Sequence, residues 1–294
     1  MATWIRGLAF LGRRNKQRIR RISLTGLIGI VLIIIIVTLA IAAPLIAPHD
    51  PNFQNLTSRL KPPGWSNADG TVYLLGTDQL GRDILSRIIY GSRISISVGL
   101  VCVLFSSMFG TILGMLAGFF RGAVETIIMR AVDLIMSLPF ILLALSVIGI
   151  TGPGLKNLIV VIVFTNWARY ARVQFGQVLS YSQREFVQAA EALGGSNRRI
   201  LFRHLLPNIL PTTVVLATLD LGFIILLESG LSFLGLGVPP NIPTWGNMLA
   251  EGRAYLSTAW WLGTFPGFAI MFTVLGFNLL GDWVRDKMDP TLRV

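Results

Sequence analysis

LTGLIGIVLIIIIVTLAIAAPLI, residues 24–46, runs without a single charged side chain. A bilayer core needs about 20 predominantly apolar residues in a helix to cross it, so this run is long enough to span one. A signal peptide is the rival reading, but its apolar core is usually about 7–15 residues with a small-residue cleavage site close behind. This run is longer, and Pro44 and Pro48 punctuate its exit. It is read as a retained first span, and it sets the solvent for the rest of the chain.

Further apolar stretches lie at 94–120, 127–150, 155–167, 209–227 and 262–280. The stretch at 155–167 is short and is expected to continue past Arg169 toward Val173, with the arginine snorkelling to the interface. The expected fold class is all-α, a polytopic membrane protein of six transmembrane helices with both termini on one side. Pro139 and Pro266 interrupt the third and sixth spans, as in bent helices around a cavity, although membrane helices also tolerate Pro without any transport role.

Composition agrees with that solvent. Of the 294 residues 53% are hydrophobic and only 13% charged, against roughly 25% charged in soluble domains. Thirty glycines suit helices that pack through small residues in lipid. The single Cys102 excludes a disulfide framework or a Cys-based cluster. His49 and His204, far apart in sequence, leave little room for a His-ligated metal, so no metal site is expected.

A net charge of +11 would suggest nucleic acid in a soluble protein; here the bases lie between apolar runs and no nucleic-acid partner is expected. With the N-terminus inside, 17 of the 25 bases are cytoplasmic: seven from Arg6 to Arg21, then Arg121, six from Arg169 to Arg203, and Arg285, Lys287 and Arg293. Seven fall outside (Arg59, Lys61, Arg82, Arg87, Arg93, Lys156 and Arg253), and Arg130 lies within a span. The positive-inside rule therefore gives N-in, C-in. The expected plan is a basic cytoplasmic arm at 1–23, attracted to anionic lipid by about 1 kcal/mol per base. A single domain follows at 24–283, with an outer loop at 48–93, a cytoplasmic segment at 174–207 and an outer segment at 231–261, and then a tail at 284–294.

The cytoplasmic segment contains REFVQAAEALGGSNRRILFRHLLPNILP, residues 184–211. Residues 184–193 are predicted as a short helix with Phe186, Ala189, Ala190 and Leu193 on one side. Gly194 and Gly195 stop it, and Ser196 caps a second short helix carrying Arg198, Arg199, Ile200, Arg203 and His204, which Pro207 is expected to end. On composition alone this bent knuckle reads equally well as an amphipathic helix lying on anionic headgroups. The pattern also resembles the EAA signature of bacterial ABC import permeases. Gln188 stands in the Glu position, Ala189, Ala190 and Gly194 match, His204 replaces Ile, and Leu206 and Pro207 match.

The outer loop offers a second resemblance. LGTDQLGRDILSRIIYGSRISISVG, residues 75–99, is similar to the shorter partner permease of the dipeptide, oligopeptide and nickel permease family, at Gly76, Thr77, Asp78, Gly81, Arg82, Asp83, Ser86, Arg87, Gly91, Arg93 and Ser95. Residues 83–90 read as a helix at the outer interface, with Ile84, Leu85, Ile88 and Ile89 as its apolar stripe. Asp78 and Asp83 are expected to offset Arg82 and Arg87 locally. Bracing the outer ends of spans, touching substrate and docking a binding protein all remain open for this motif. LSFLGLG at 231–237, PPNIPTWGNML at 239–249 and FPGFAIMFTVLGFNLLGDWVRDKMDP at 265–290 extend the same likeness.

The resemblance implies an importer of di- and oligopeptides in which this chain pairs with a second homologous permease above two cytosolic ATPases, with an extracytoplasmic solute-binding protein delivering substrate across the bacterial inner membrane. It implies that 188–207 couples to the ATPases, through Gln188, Ala189, Ala190, Gly194, Arg198, Arg199, Leu206 and Pro207. No GxxxxGK[ST] segment occurs, so ATP and Mg²⁺ are expected on the partners, with no catalytic residue or cofactor in this chain. Nickel complexes, glutathione and other small solutes are alternative cargoes. A partner-independent transporter or channel leaves the knuckle unexplained, and a membrane-embedded enzyme lacks its reactive constellation.

Charges within spans cost at least ~2.5–3.5 kcal/mol each at mid-bilayer and should face protein or water. Arg130 and Asp133 are expected to pair locally. Asp220 and Glu228 are candidates for the translocation path, Asp220 to meet a peptide amine or a cation. A hydrogen-bonded anchor between spans is an equal reading for Asp220.

Overall fold

The computed structural model describes residues 23–68 and 70–288, so most of the expected basic arm and the end of the tail lie outside the described residues. Ser23 caps the first helix, α1 (Leu24–Ile41), accepting the Gly26 N–H at 3.1 Å, and a single turn, α2 (Ala43–Ile46), follows. The outer loop carries a two-residue antiparallel hairpin, Trp65–Ser66 with Val72–Tyr73. α3 (Ile84–Phe120), α4 (Gly122–Ser137), α5 (Phe140–Thr151) and α6 (Leu155–Ser182) follow. Beyond it come α7 (Glu185–Ala192), the short α8 (Asn197–Arg199) and a π-helical turn (Ile200–Leu205) leading into α9 (Leu206–Phe233). α10 (Trp245–Gly252) and α11 (Trp261–Met288) close the order.

Among the described residues four helical stretches are long and apolar enough to cross a membrane: Leu24–Ile41, Ile84–Phe120, Asn197–Phe233 and Trp261–Met288. α4 and α5 make a fifth only if counted as one span bent by 91°. The bend has a local cause, because Pro139 forces the preceding Leu138 into extended geometry, ψ 131°. α6 is about 42 Å long at ~1.5 Å per residue, but Lys156, Arg169 and Arg172 dilute its apolar run. It continues well past Val173, to Ser182.

In lipid there is no hydrophobic force between helices, so close backbone approach holds them. Gly110, Gly114 and Gly118, one per turn of α3, face α6. A Cβ on Gly114 would land on the Ala171 carbonyl, and one on Gly118 would sit 2.8 Å from Val178 Cβ. α1 meets α11 in the same way, with Gly29 against Leu280 and Gly276 against Leu32.

Two local expectations change. Residues 84–90 are not a separate interfacial helix but the first turns of α3, continuous with its span; Asp83 caps it through the Ser86 N–H at 2.8 Å, and Arg87 is buried. Pro207 does not end a helix. It occupies the first turn of α9, where its missing N–H is tolerated, and the π turn keeps the chain helical from the knuckle into the span.

Gly114→Leu should destabilise the purified protein by at least ~1–3 kcal/mol, because it overpacks backbone rather than a pliable side chain. Gly149→Leu, where a new Cβ meets nothing within 4 Å, should stay within ~0.5 kcal/mol. Equal thermal melting of the two variants would remove the seam as the cause.

Candidate functional site

Three sets of side chains stand out: a charged clasp where the 48–93 loop meets α10, ion pairs midway along the bundle, and the knuckle between α6 and α9.

The clasp begins with two sharp turns that only glycine fits. Gly76 (φ 80°) and Gly81 (φ 72°) both adopt left-handed geometry, and a Cβ on Gly81 would overlap the Asn55 carbonyl. Between them Thr77 Oγ1 donates to the Ser58 carbonyl at 2.5 Å and accepts the Lys61 N–H at 2.8 Å. The Asp78 carboxylate accepts the Leu80 and Arg82 N–H groups, Arg82 Nε at 2.6 Å and Arg87 Nη1 at 2.5 Å. Glu251, on α10, takes Arg82 Nη2 and Arg87 Nη1, each at 2.8 Å, and Gln79 Nε2 at 2.9 Å. Two guanidiniums thus meet two carboxylates, joining the outer loop to the outer segment. Trp261 Nε1 donates to the Thr77 carbonyl and Trp245 Nε1 to the Ile88 carbonyl, tightening the same joint.

Asp78 therefore offsets the arginines, as expected, whereas Asp83 does not. Asp83 is spent on Ser86, and His49 Nδ1 lies 3.4 Å from it. The missing acid is Glu251, which lies in the segment at 231–261, outside the residues expected to pair with these arginines. Its signal was arithmetic: once Asp83 serves as an N-cap, two buried arginines need another carboxylate. Burial works to raise the Glu251 carboxyl, but hydrogen bonding and charge from Arg87, then Gln79 and Arg82, outweigh it and hold the group below its ordinary value.

Midway along α9, Asp220 is buried. It receives Arg169 Nη1 from α6 at 2.5 Å and Asn166 Nδ2 at 3.3 Å. Its side chain is 2% exposed and that of Arg169 47%, so the accessible charge is the guanidinium. Arg169 does not merely snorkel; it neutralises an acid on the neighbouring helix. Asp133 pairs with Arg172 of α6 and not with Arg130. Glu228 is fully buried near the outer end of α9, accepting the hydroxyls of Ser232 at 2.9 Å, Ser95 at 3.3 Å and Ser229 at 3.4 Å. The two acids are separate environments.

The knuckle forms as the spacing predicts. α7 ends at Gly194 (φ 76°), and Ser196 Oγ accepts the Arg199 N–H at 3.4 Å. Val187 anchors it in a core with Ile200, Leu201 and Leu205, while Phe186, Gln188, Ala189 and Leu193 are exposed, Leu193 at 88%. Arg198 and Arg199 are exposed, Leu206 half-buried and Pro207 exposed. A groove of ≈ 440 Å³ opens beside Ala190, Gly194, Gly195 and Ser196. Gly195 is held to glycine by the Ala190 carbonyl, 2.7 Å from where a Cβ would stand.

Known proteins give the arrangement a context. Residues 110–294 match the family described as binding-protein-dependent transport system inner membrane component, and 24–63 match the N-terminal TM domain of oligopeptide transport permease C. The chain is 42% identical to the di/tripeptide transport system permease protein DppC of Pseudomonas aeruginosa, over 86% of this chain and 84% of that one. It is 42% identical to the dipeptide transport system permease protein DppC of Haemophilus influenzae, over 87% and 86%. It is 43% identical to the glutathione transport system permease protein GsiD of Pectobacterium atrosepticum, over 76% and 74%. In fold it is similar to a chain of the MetNI methionine ABC transporter in an inward-facing conformation, with a TM-score of 0.57 and 20% identity, over 70% of this chain and 98% of that one.

The lowered Glu251 carboxyl contributes stability above the unfolded carboxylate range, and the contribution is lost as pH falls through the folded value. Glu251→Gln should therefore destabilise by ~2–4 kcal/mol at pH 7, leaving Arg87 underpaired. The gap to the parent should close on acidification toward pH 3. A gap in thermal melting that is independent of pH would contradict the assignment.

Proposed function

The chain belongs to the family of binding-protein-dependent transport system inner membrane components, and on that premise we infer that it is one of two permease subunits of an ABC importer for di- and oligopeptides. The named peptide permeases among its relatives support that cargo. Glutathione, itself a short peptide, is a second cargo, favoured by the likeness to GsiD. A second permease, two cytosolic ATPases and an extracytoplasmic binding protein complete the machine in the inner membrane, with ATP and Mg²⁺ on the ATPases and no catalysis in this chain.

The observation that carries the reading is the knuckle: an eight-residue helix with exposed Phe186, followed by exposed Leu193 and the Gly194 turn, set between two long helices, the second of which runs unbroken from Asn197. Exposed Phe186 and Leu193 beside small Ala189 and Ala190 suit burial against a partner, and a groove on a cytosolic ATPase meets that need. Gln188, Ala189, Ala190, Gly194, Arg198, Arg199, Leu206 and Pro207 form the coupling segment, Ala189 and Ala190 allowing close approach and Gly194 setting the angle. Six spans, N-in and C-in, follow if α4 with α5 and the charged α6 each cross the membrane. That topology puts the knuckle inside, the clasp outside and the 1–23 arm and the tail in the cytoplasm. The outer motif, Gly76 to Arg87, braces the bundle. Glu228 anchors α9 to α3, and Asp220 serves the path through Arg169.

Gly194→Val puts a β-branched residue where left-handed geometry costs about 1–2 kcal/mol, and Ala190→Trp blocks the approach. Each should cut ATP-driven uptake by the reconstituted complex ~10-fold and abolish stimulation of its ATPase by loaded binding protein. Normal stimulation and uptake in either variant would overturn the coupling role.

A further inference from the structure

α6 carries two arginines, Arg169 and Arg172, three residues and about 4.5 Å of rise apart. Each reaches a carboxylate on a different neighbour, Arg169 to Asp220 of α9 and Arg172 to Asp133 of α4. Both guanidinium side chains are nearly half exposed, 47% and 44%. Just beyond Arg169, Thr165 and Asn166 open into a cavity of ≈ 200 Å³ that Leu138 and Phe140, at the break between α4 and α5, share with Phe223 and Leu227 of α9. An exposed cation one helical turn from a mostly apolar hollow, with its own counter-ion buried behind it, is costly to keep within a span and points to a path for polar solute.

We propose that Arg169, with Arg172 one step along, is an anion-selecting site in the wall of the translocation path that takes the terminal carboxylate of a passing peptide. The proposal rests on the permease reading above and names the chemical group it recognises. Arg169 spends Nη1 on Asp220, which fixes the guanidinium plane and leaves its other N–H groups for a second carboxylate in the planar, two-point geometry that arginine favours. Asp220 also keeps the empty site neutral, so the incoming carboxylate is drawn without being trapped by an unopposed charge. At Arg169 an amine would find no comparable acceptor, since Asp220 is 2% exposed; Asp133 beside Arg172 is 49% exposed, so the selection rests on Arg169.

The test reads charge preference directly. Thr165 lies one turn from Arg169 on the same face, and the single native cysteine, Cys102, is buried. In the full complex, with labelling read on this chain, Thr165→Cys in a Cys102→Ala background should react about 10-fold faster with an anionic methanethiosulfonate than with a cationic one. Adding Arg169→Gln should bring the two rates together, and Arg169→Lys should keep the preference. Without the cysteine changes, Arg169→Gln should lower peptide uptake ~10-fold, with Arg169→Lys restoring most of it. Equal rates with Arg169 present, or reaction with N-ethylmaleimide alone, would overturn the site, as would normal uptake by Arg169→Gln. Anion preference in a parent complex that takes up no peptide would instead overturn the permease reading while leaving the anion site standing.

Discussion

The rest of the structure depends on the glycine seam between α3 and α6. Hydrocarbon supplies no drive to bring two apolar helices together, so the only gain is from contact, and contact requires side chains small enough to let backbones approach. Gly110, Gly114 and Gly118 meet this condition once per turn. With α6 fixed along that line, the other face of the same helix is aimed between α4 and α9. That is why Arg169 and Arg172 reach acids on separate helices without either acid leaving its own. The bulk of α6 that is not glycine-contacted, Lys156 and the arginines included, is affordable only because the seam holds it in place.

The two ends of the bundle solve opposite problems. At the end that carries the 48–93 loop, the loop and the Trp-rich segment have little regular structure, and order comes from paired polar groups: Asp78 and Glu251 against Arg82 and Arg87, with two tryptophan N–H groups on backbone carbonyls. Buried charges of this kind add little net stability over apolar packing but penalise any arrangement that unpairs one of them. At the end that carries the knuckle the order is apolar, Val187 packed with Ile200, Leu201 and Leu205, while Phe186 and Leu193 stay exposed. One end is closed on itself and the other is open to a partner.

Much of this was legible from residue spacing. The first span, the Gly194 stop and the Ser196 cap follow from local rules of periodicity and capping, and the structure places all three where those rules do. What periodicity did not reveal depends on contacts between residues far apart in the chain. Arg130 and Asp133 sit three apart and invite a local pair, yet Arg172, 39 positions from Asp133, takes the acid. Glu251 stands 164 positions from Arg87, and only a count of buried charges against available partners would have called for it. The continuity of the helix through Pro207 was missed for another reason. A proline normally marks a helix boundary, but a π turn immediately before it re-satisfies the backbone and carries the helix through.

That continuity has a mechanical consequence. From Asn197 to Phe233 the chain is one helical rod, tied near its outer end where Glu228 takes the hydroxyl of Ser95 on α3, and bearing the knuckle at its inner end. It is tied again at Thr213, which accepts Gln174 Nε2 of α6 at 3.0 Å and meets Thr111 Oγ1 of α3 at 3.4 Å. Asp220 lies seven residues from that tie and eight from Glu228, about 11 and 12 Å at ~1.5 Å per residue. Bending of the rod between its two ties is therefore felt at Asp220. The group it disturbs there is a single 2.5 Å ion pair between two helices, a contact short enough to be made or broken by a shift of an ångström or two.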